Sequence, residues 1–341
     1  MIRTVCALLA SAALALAINP ANAASAQWLR YPSISPNGKH IAFSFAGDWW
    51  GVRADGGRAR QLTTHEAYDA SPVWSPNSST IAFASNRFGN LDVFVVAASG
   101  GVPRRLTFHS SNDRPTSFTS DGQNILFTSH RQDAPKASLG HSSMSELYEI
   151  SVEGGRPLQV LTTPAELAVS SPTNEKIAYQ DYKGFEDTWR KHHQSAVARD
   201  IWVLDRKSGK HTRLTDFRGE DRNPVWSNDG GKLYWLSERG GTFNVWTMPF
   251  GKRQQAKQIT DHQIHPVRFL SIANNDRLCY GFNGQIWTKA VDGKPQQISI
   301  KVVADQRKNP VRNTTLTSGA TEMAVSPNDD EIALVIRGEV F

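Results

Sequence analysis

The chain has 341 residues, 39% of them hydrophobic and 21% charged, with a formal net charge of +6 at neutral pH. That composition excludes a disordered chain or a fibre and is long enough for one large core or two domains. Lys and Arg are scattered through turns and never cluster with interleaved aromatics, so the positive balance does not point to a nucleic-acid partner.

The first segment differs from everything after it. Arg3 supplies a basic head, Val5 to Ile18 is an almost unbroken apolar run, and Ala21-Asn22-Ala23 places small residues where a signal peptidase reads. Residues 1–23 therefore read as a cleaved signal peptide, and the mature protein as exported and periplasmic. A membrane anchor is the alternative, but a span needs about 18 to 20 apolar residues and this run is shorter. No later segment is long and apolar enough to span a membrane. Cys6 lies inside the signal, which leaves Cys279 without a disulfide partner. Its setting, Leu278-Cys279-Tyr280, predicts a buried and inert thiol.

Beyond residue 24 three signals recur in the same order. The first is a turn before an apolar triplet: Ser35-Pro36-Asn37-Gly38 before Ile41-Ala42-Phe43, and Ser75-Pro76-Asn77-Ser78 before Ile81-Ala82-Phe83. The later triplets are Ile125-Leu126-Phe127, Ile177-Ala178-Tyr179, Leu233-Tyr234-Trp235 and Leu278-Cys279-Tyr280. Pro fixes φ while Asn, Asp and Gly accept turn conformations, so each cluster is a tight reversal between strands. The second signal is an alternating strand such as Asp92-Val93-Phe94-Val95 or Asp200-Ile201-Trp202-Val203. The third is a Gly turn and a short closing strand, from Gly56-Gly57 to Leu62-Thr63 in the first copy and from Gly293 to Ile298-Ser299 in the sixth.

Counted on the first residue of the triplet, copies start at 41, 81, 125, 177, 233, 278 and 332. Four short strands at a period of about 40 to 50 residues predict a β-propeller. The fold class is all-β: a six-bladed propeller of four-stranded blades over 24–300, a polar linker over 301–321, and the truncated start of a second propeller over 322–341. A single seven-bladed propeller with its last blade cut short is the alternative. Trp74, Phe118 and Trp226, each just before a turn cluster, are expected to wedge between blades.

Catalytic motifs are missing from the sequence. There is no G-x-S-x-G elbow, H-E-x-x-H, C-x-x-C or phosphate-binding glycine loop, so no catalytic, cofactor or metal residue is assigned. His192-His193 and His262 with His265 are weak metal candidates, since adjacent histidines on a strand point to opposite sides. Arg87, Arg131 and Arg239 recur just after the second strand of their copies, with Asp92 and Asn244 following in two of them. Two roles are open: a structural pair holding the blade turn, or a grip on peptide carboxylates at a channel mouth. The least repeat-like segment, Asp181 to Arg199, carries Trp189, Arg190, Lys191 and His192. Long insertions in repeat proteins gather on one face, which makes it a candidate contact surface.

Several stretches are more specific than a generic propeller repeat. Tyr31-Pro32-Ser33-Ile34-Ser35-Pro36 followed by Phe45-Ala46-Gly47-Asp48-Trp49-Trp50 is one. Others are Gly89-Asn90-Leu91-Asp92-Val93-Phe94, Thr188-Trp189-Arg190-Lys191 leading into Arg199-Asp200-Ile201-Trp202, and Asp221-Arg222-Asn223-Pro224-Val225-Trp226. With these the chain resembles the N-terminal six-bladed propeller of tricorn-type serine proteases, and Arg337-Gly338-Glu339-Val340-Phe341 resembles the opening of that family's second propeller. The resemblance implies a parent polypeptide that continues into a second propeller, a PDZ domain and a serine protease core, forms a homo-oligomer, and degrades peptides. In it this chain gates substrates or products and is inactive alone. A stand-alone TolB-like module that binds a protein partner is the alternative, and a propeller hydrolase or lactonase with its own site a third reading.

Overall fold

The computed structural model describes residues 26–133, 144–184, 194–304, 318–336 and 339–340. The signal peptide assigned to residues 1–23 lies outside them. The described chain divides into two units, one ending at Val303 and one beginning at Ala304.

Six four-stranded antiparallel sheets make up the first unit, each built from strands consecutive in sequence. Blade one holds Arg30–Ile34, His40–Phe45, Asp48–Arg53 and Arg60–Gln61. Blade two holds Asp69–Trp74, Thr80–Ser85, Asp92–Ala97 and Arg104–Arg105. Blade three holds Asp113–Phe118, Asn124–Ser129, Glu146–Ser151 and Leu158–Leu161. Blade four holds Ala165–Ser170, Lys176–Asp181, Ile201–Asp205 and His211–Arg213. Blade five holds Asp221–Trp226, Lys232–Ser237, Asn244–Pro249 and Lys257–Gln258. Blade six holds Arg268–Ile272, Leu278–Phe282, Gln285–Lys289 and Gln296–Gln297.

Local chemistry explains the reversal between the first and second strands that blades one, two and five share. The Ser35 hydroxyl donates to Asn37 Oδ1 at 2.8 Å and accepts from the His40 amide at 3.0 Å. Ser75 does the same with Asn77 and Thr80, and Ser227 with Asp229 and Lys232. A short polar side chain thus completes the turn that the backbone leaves open. At the far edge of the blade the closing Thr repeats a second device: the hydroxyls of Thr63, Thr107, Thr215 and Thr260 accept from the amides of Trp49, Val93, Ile201 and Val245.

The apolar triplets are split between two interfaces, because neighbouring strand residues face opposite sides. Ile81 and Phe83 pack with Trp49 of blade one, while Ala82 packs with Phe118 and Phe127 of blade three. Likewise Leu233 and Trp235 face blade four and Tyr234 faces blade six. Six apolar clusters result, one between each pair of successive blades including the sixth and first. Cys279 occupies a middle position, fully buried against blade one among Ile41, Phe43 and Ile286. Burial pushes its thiol up to about 12, in keeping with an inert packing residue.

The ring closes without an exchanged strand. Ile300–Lys301 pairs in parallel with Gly57–Arg58 at blade one, and the Leu29 amide donates to the Gly284 carbonyl of blade six at 3.0 Å. Leu29, Ile298 and Ile300 are all buried in the cluster shared by the first and last blades. Gly56 is required there: its φ is +99°, and a Cβ would sit 2.6 Å from the Ser299 carbonyl oxygen. The second unit, described by itself, is a three-stranded antiparallel sheet of Ala320–Val325, Ile332–Ile336 and Glu339–Val340, which fits the start of a further propeller.

Candidate functional site

The first strand of every blade lines one central channel of about 820 Å³. All six strands share one irregularity. Pairing with the second strand slips between Arg30 and Ser33, Ala70 and Val73, Pro115 and Ser117, Glu166 and Val169, Arg222 and Val225, and Arg268 and Ser271. Each slip is a β-bulge, which bends the strand and re-aims its side chains.

One residue at the bulge of each of these strands, the second in blades one and six and the third in the others, contributes to a ring in the lining: Tyr31, Ser71, Pro115, Leu167, Asn223 and Phe269. Five of them hold positive φ, from +46° at Leu167 to +59° at Phe269, while Pro115 cannot. A left-handed conformation costs an L residue about 1 to 2 kcal/mol, and the same strain at five blades marks the ring as a place where geometry overrides backbone preference. Tyr31 and Phe269 meet with ring centroids 4.5 Å apart. Asn223 ties three blades together: its backbone amide donates to Gln180 Oε1 of blade four at 3.0 Å, and its side chain exchanges bonds of 2.8 and 3.0 Å with the Leu270 backbone of blade six.

The two ends of the channel differ in charge. The end reached by the turn tips is lined by Pro36, Pro76, Ser120, Pro172, Asn228 and Asn274, with no charged side chain among them. At the strand-start end, Arg114, Glu166, Arg222 and Arg268 line the channel, and Arg30 holds the same strand position in blade one. Behind Glu166 lies a buried ion network. Arg199 Nε donates to Glu166 at 3.2 Å and Nη1 to Glu220 at 3.1 Å, and Arg222 approaches Glu220 at 3.6 Å over the Phe243 ring. Burial, with Arg268 and Arg199 nearby, pushes the Arg222 guanidinium down to about 10, still charged at neutral pH.

Trp74, Phe118 and Trp226 do two jobs. They pack into the inter-blade clusters as expected, and they also line the channel. The Trp74 indole donates to the Ser33 carbonyl of blade one at 2.9 Å, and that of Trp226 to Val169 of blade four at 3.3 Å, so each is a polar peg across a blade boundary.

Arg87, Arg131 and Arg239 sit away from the channel lining and have other partners than Asp92 and Asn244. Each bonds the carboxylate that opens the first strand of its own blade: Asp69 at 3.1 Å, Asp113 at 2.7 Å and Asp221 at 2.5 Å. Their Nε atoms donate to Ser85, Ser129 and Ser237, which lie opposite those carboxylates on the second strand. The guanidinium planes stack on Phe94, Tyr148 and Trp246 of the third strand, so one residue clasps three strands. Asp92 is instead bonded by Arg105 of the fourth strand at 2.7 Å. The sequence separation of 18 residues hid the true partner, since the Asp lies behind the Arg by two strands.

Blade four builds the clasp with its charges moved. Ala165 replaces the first-strand acid, Asp181 stands in the Ser position opposite it, and Lys183 replaces the Arg, bonding Asp181 at 3.3 Å and Asp200 at 2.6 Å. Beside it Lys183, Ala198, Arg213, Phe217 and Arg218 border an open surface pocket of about 420 Å³. Trp189, Arg190, Lys191 and His192 lie outside the described residues, as does His193. His262 is a packing residue: its ring lies 4.0 Å from that of Phe282, and Nε2 shares a 2.9 Å hydrogen bond with the Tyr280 hydroxyl. Among the described residues no group of three His, Cys, Asp or Glu side chains could hold a metal, and no helix is long and apolar enough to cross a membrane.

Comparison with known proteins places this architecture. Residues 26–294 match the family model of the tricorn protease N-terminal β-propeller domain. Tricorn protease homolog 1 of Streptomyces coelicolor is 24% identical over 286 residues, which is 82% of this chain and 25% of the relative. The crystal structure of the tricorn protease superposes with a TM-score of 0.68 at 18% identity, covering 92% of this chain and 30% of that one. TolB from Acinetobacter baumannii is similar at a TM-score of 0.51 and 18% identity, over 67% of this chain and 53% of its own. This chain therefore spans about a quarter of the length of its tricorn relative. At these identities the structural likenesses speak for the fold.

Proposed function

The chain belongs to the tricorn protease N-terminal β-propeller family, and from that premise we propose that it is the gating propeller of an exported tricorn-like serine peptidase. In this reading extended peptides, as substrates or products, pass through the central channel, and bond cleavage belongs to a protease core elsewhere in the parent polypeptide. The observation that carries it is the channel itself: six first strands converge on one lumen with a charged end, an uncharged end and a strained ring between them. An extended strand can enter such a lumen, whereas a folded domain cannot, which makes the channel a filter by shape before any chemistry. Export rests on the signal-like first 23 residues and places the peptides in the periplasm.

Filling the lumen tests the reading. Ser33→Trp with Ser117→Trp adds bulk on two blades that line the channel. Binding of an unstructured peptide of about ten residues, followed by fluorescence anisotropy, should weaken at least about ten-fold in the filled variant. Unchanged binding in a filled variant of native stability would refute passage through the lumen. The TolB likeness favours a second reading, in which a partner docks on the propeller; there the filled variant keeps its partner and unstructured peptides do not bind.

A further inference from the structure

Six blades in a closed circle face one another in three pairs across the lumen: one and four, two and five, three and six. That order follows from the apolar clusters, which join each blade to the next and the sixth to the first. The ring residues of the lining therefore oppose one another as Tyr31 with Leu167, Ser71 with Asn223, and Pro115 with Phe269. Two of these three diameters carry aromatic or aliphatic groups at both ends. The third is polar, but the Asn223 side chain is already engaged by the Leu270 backbone at 2.8 and 3.0 Å. No ring residue is charged, although Arg114, Glu166, Arg222 and Arg268 each immediately precede one on their strands. The charged end of the channel thus gives way, within one residue, to an uncharged belt.

Backbone preference does not account for the bulky members of this belt. A left-handed φ suits Gly, Asn and Asp, and Asn223 is of that kind. Tyr31, Leu167 and Phe269 are not, yet they hold φ of +51°, +46° and +59°. Leu167 is also 41% exposed, so it is neither a core residue nor a favoured backbone choice. Its bulge turns it into the lumen. On the opposite wall Tyr31 is braced by Phe269, with ring centroids 4.5 Å apart. An isobutyl group facing an aromatic pair across a cavity is completed by an apolar group between them.

We propose that Leu167, Tyr31 and Phe269 form an apolar clamp inside the channel, which selects peptides by a bulky apolar side chain and disfavours a charged one at the same point. This rests on the reading of the channel as a peptide passage and adds a substrate preference to it. The preference comes from area removed from water: the extra carbons of leucine over alanine are covered by the two walls. A carboxylate or ammonium at that point loses hydration and finds no counter-ion in the belt. Selection by buried area persists at high salt, which separates it from attraction to the arginines at the channel end.

The test uses acetylated and amidated Gly/Ser peptides of about ten residues with one central Leu, Ala, Asp or Lys. Fluorescence anisotropy should place Leu first, about ten-fold tighter than Ala, with Asp and Lys weaker than Ala, and the Leu-to-Ala ratio should be the same at low and high salt. Leu167→Asn puts into blade four the residue that blade five already carries at this left-handed position, so the fold is kept while one apolar wall is lost. In that variant the ratio should fall to about two- to three-fold. Tyr31→Ser, which copies Ser71 of blade two, removes the opposite wall and should lower the ratio as far. Leu167→Met should keep it, as should Leu158→Asn, which alters an exposed leucine on the outer strand of blade three, away from the lining. Equal affinity for the Leu and Ala peptides, or an undiminished ratio in both folded wall variants, overturns the clamp while leaving passage intact. Binding of the Leu peptide that survives Ser33→Trp with Ser117→Trp puts the contact outside the lumen and overturns both readings, as does failure of every peptide to bind.

Discussion

Arg87→Ala isolates the clasp that recurs in three blades. Asp69 is fully buried and Arg87 is 9% exposed, with the carboxylate and guanidinium 3.1 Å apart. At that distance their gross attraction is about 5 kcal/mol with an effective dielectric near 20, most of it offset by the desolvation of both ions. Removing only the cation discards the attraction and keeps the cost of burying the anion, which typically destabilises by about 3 to 5 kcal/mol. The guanidinium also leaves the Phe94 ring 5.0 Å from its centre, worth about 0.5 to 1 kcal/mol more. For a propeller of this size that corresponds to a fall in melting temperature of about 6 to 15 °C. Urea denaturation followed by tryptophan fluorescence, with Arg87→Met, Asp69→Asn and the double variant, closes the cycle. The double variant should lose at least about 1.5 kcal/mol less than the sum of the singles, because removing both charges leaves no buried charge without its counter-ion. Additive losses, or an Arg87→Ala cost below about 1 kcal/mol, would refute a structural clasp and reopen a role in binding.

Other expectations concern the remaining blades. Ala165→Asp alone sets a second carboxylate opposite Asp181 in register and should destabilise by about 2 kcal/mol, whereas adding Asp181→Ser and Lys183→Arg, which rebuilds the clasp of the other blades, should recover most of it in the same denaturation assay. Leu167→Gly should cost no more than about 0.5 kcal/mol although it lies inside a strand, because relief at φ +46° offsets the lost side chain; a loss above about 2 kcal/mol would mean the ring is not strained. Cys279 should not react with a thiol reagent until the propeller unfolds, and rapid labelling under native conditions would contradict its burial. Burial holds the His262 imidazole below its ordinary 6.5, so the unfolded chain binds a proton that the folded one does not. Its contribution is therefore complete above pH 6.5 and declines as pH falls toward the folded value, and His262→Phe should flatten that decline in melts taken across this range.

The repeats were legible in the sequence because propeller blades are local objects. A turn, a triplet, an alternating strand and a closing Thr all lie within about 50 residues, and each is dictated by backbone preference or by the two-residue period of a strand. So Ser35-Pro36-Asn37 announced a reversal, and Ile81-Ala82-Phe83 announced a strand buried on both faces. Even the burial of Cys279 followed from its apolar neighbours. What the sequence left open were relations between strands. The partner of Arg87 is Asp69 and not Asp92, because the hairpin folds the first strand back beside the second. Blade four carries the same clasp with its charges moved, invisible until Asp181 is seen opposite Ala165. The channel mouth is the extreme case. Arg114, Arg222 and Arg268 stand up to 154 positions apart along the chain and line one lumen only when the ring closes at Gly56 and Leu29. Local strand chemistry determined the blade, while the charge and strain of the lumen belong to the closed circle, since no blade contains a channel by itself.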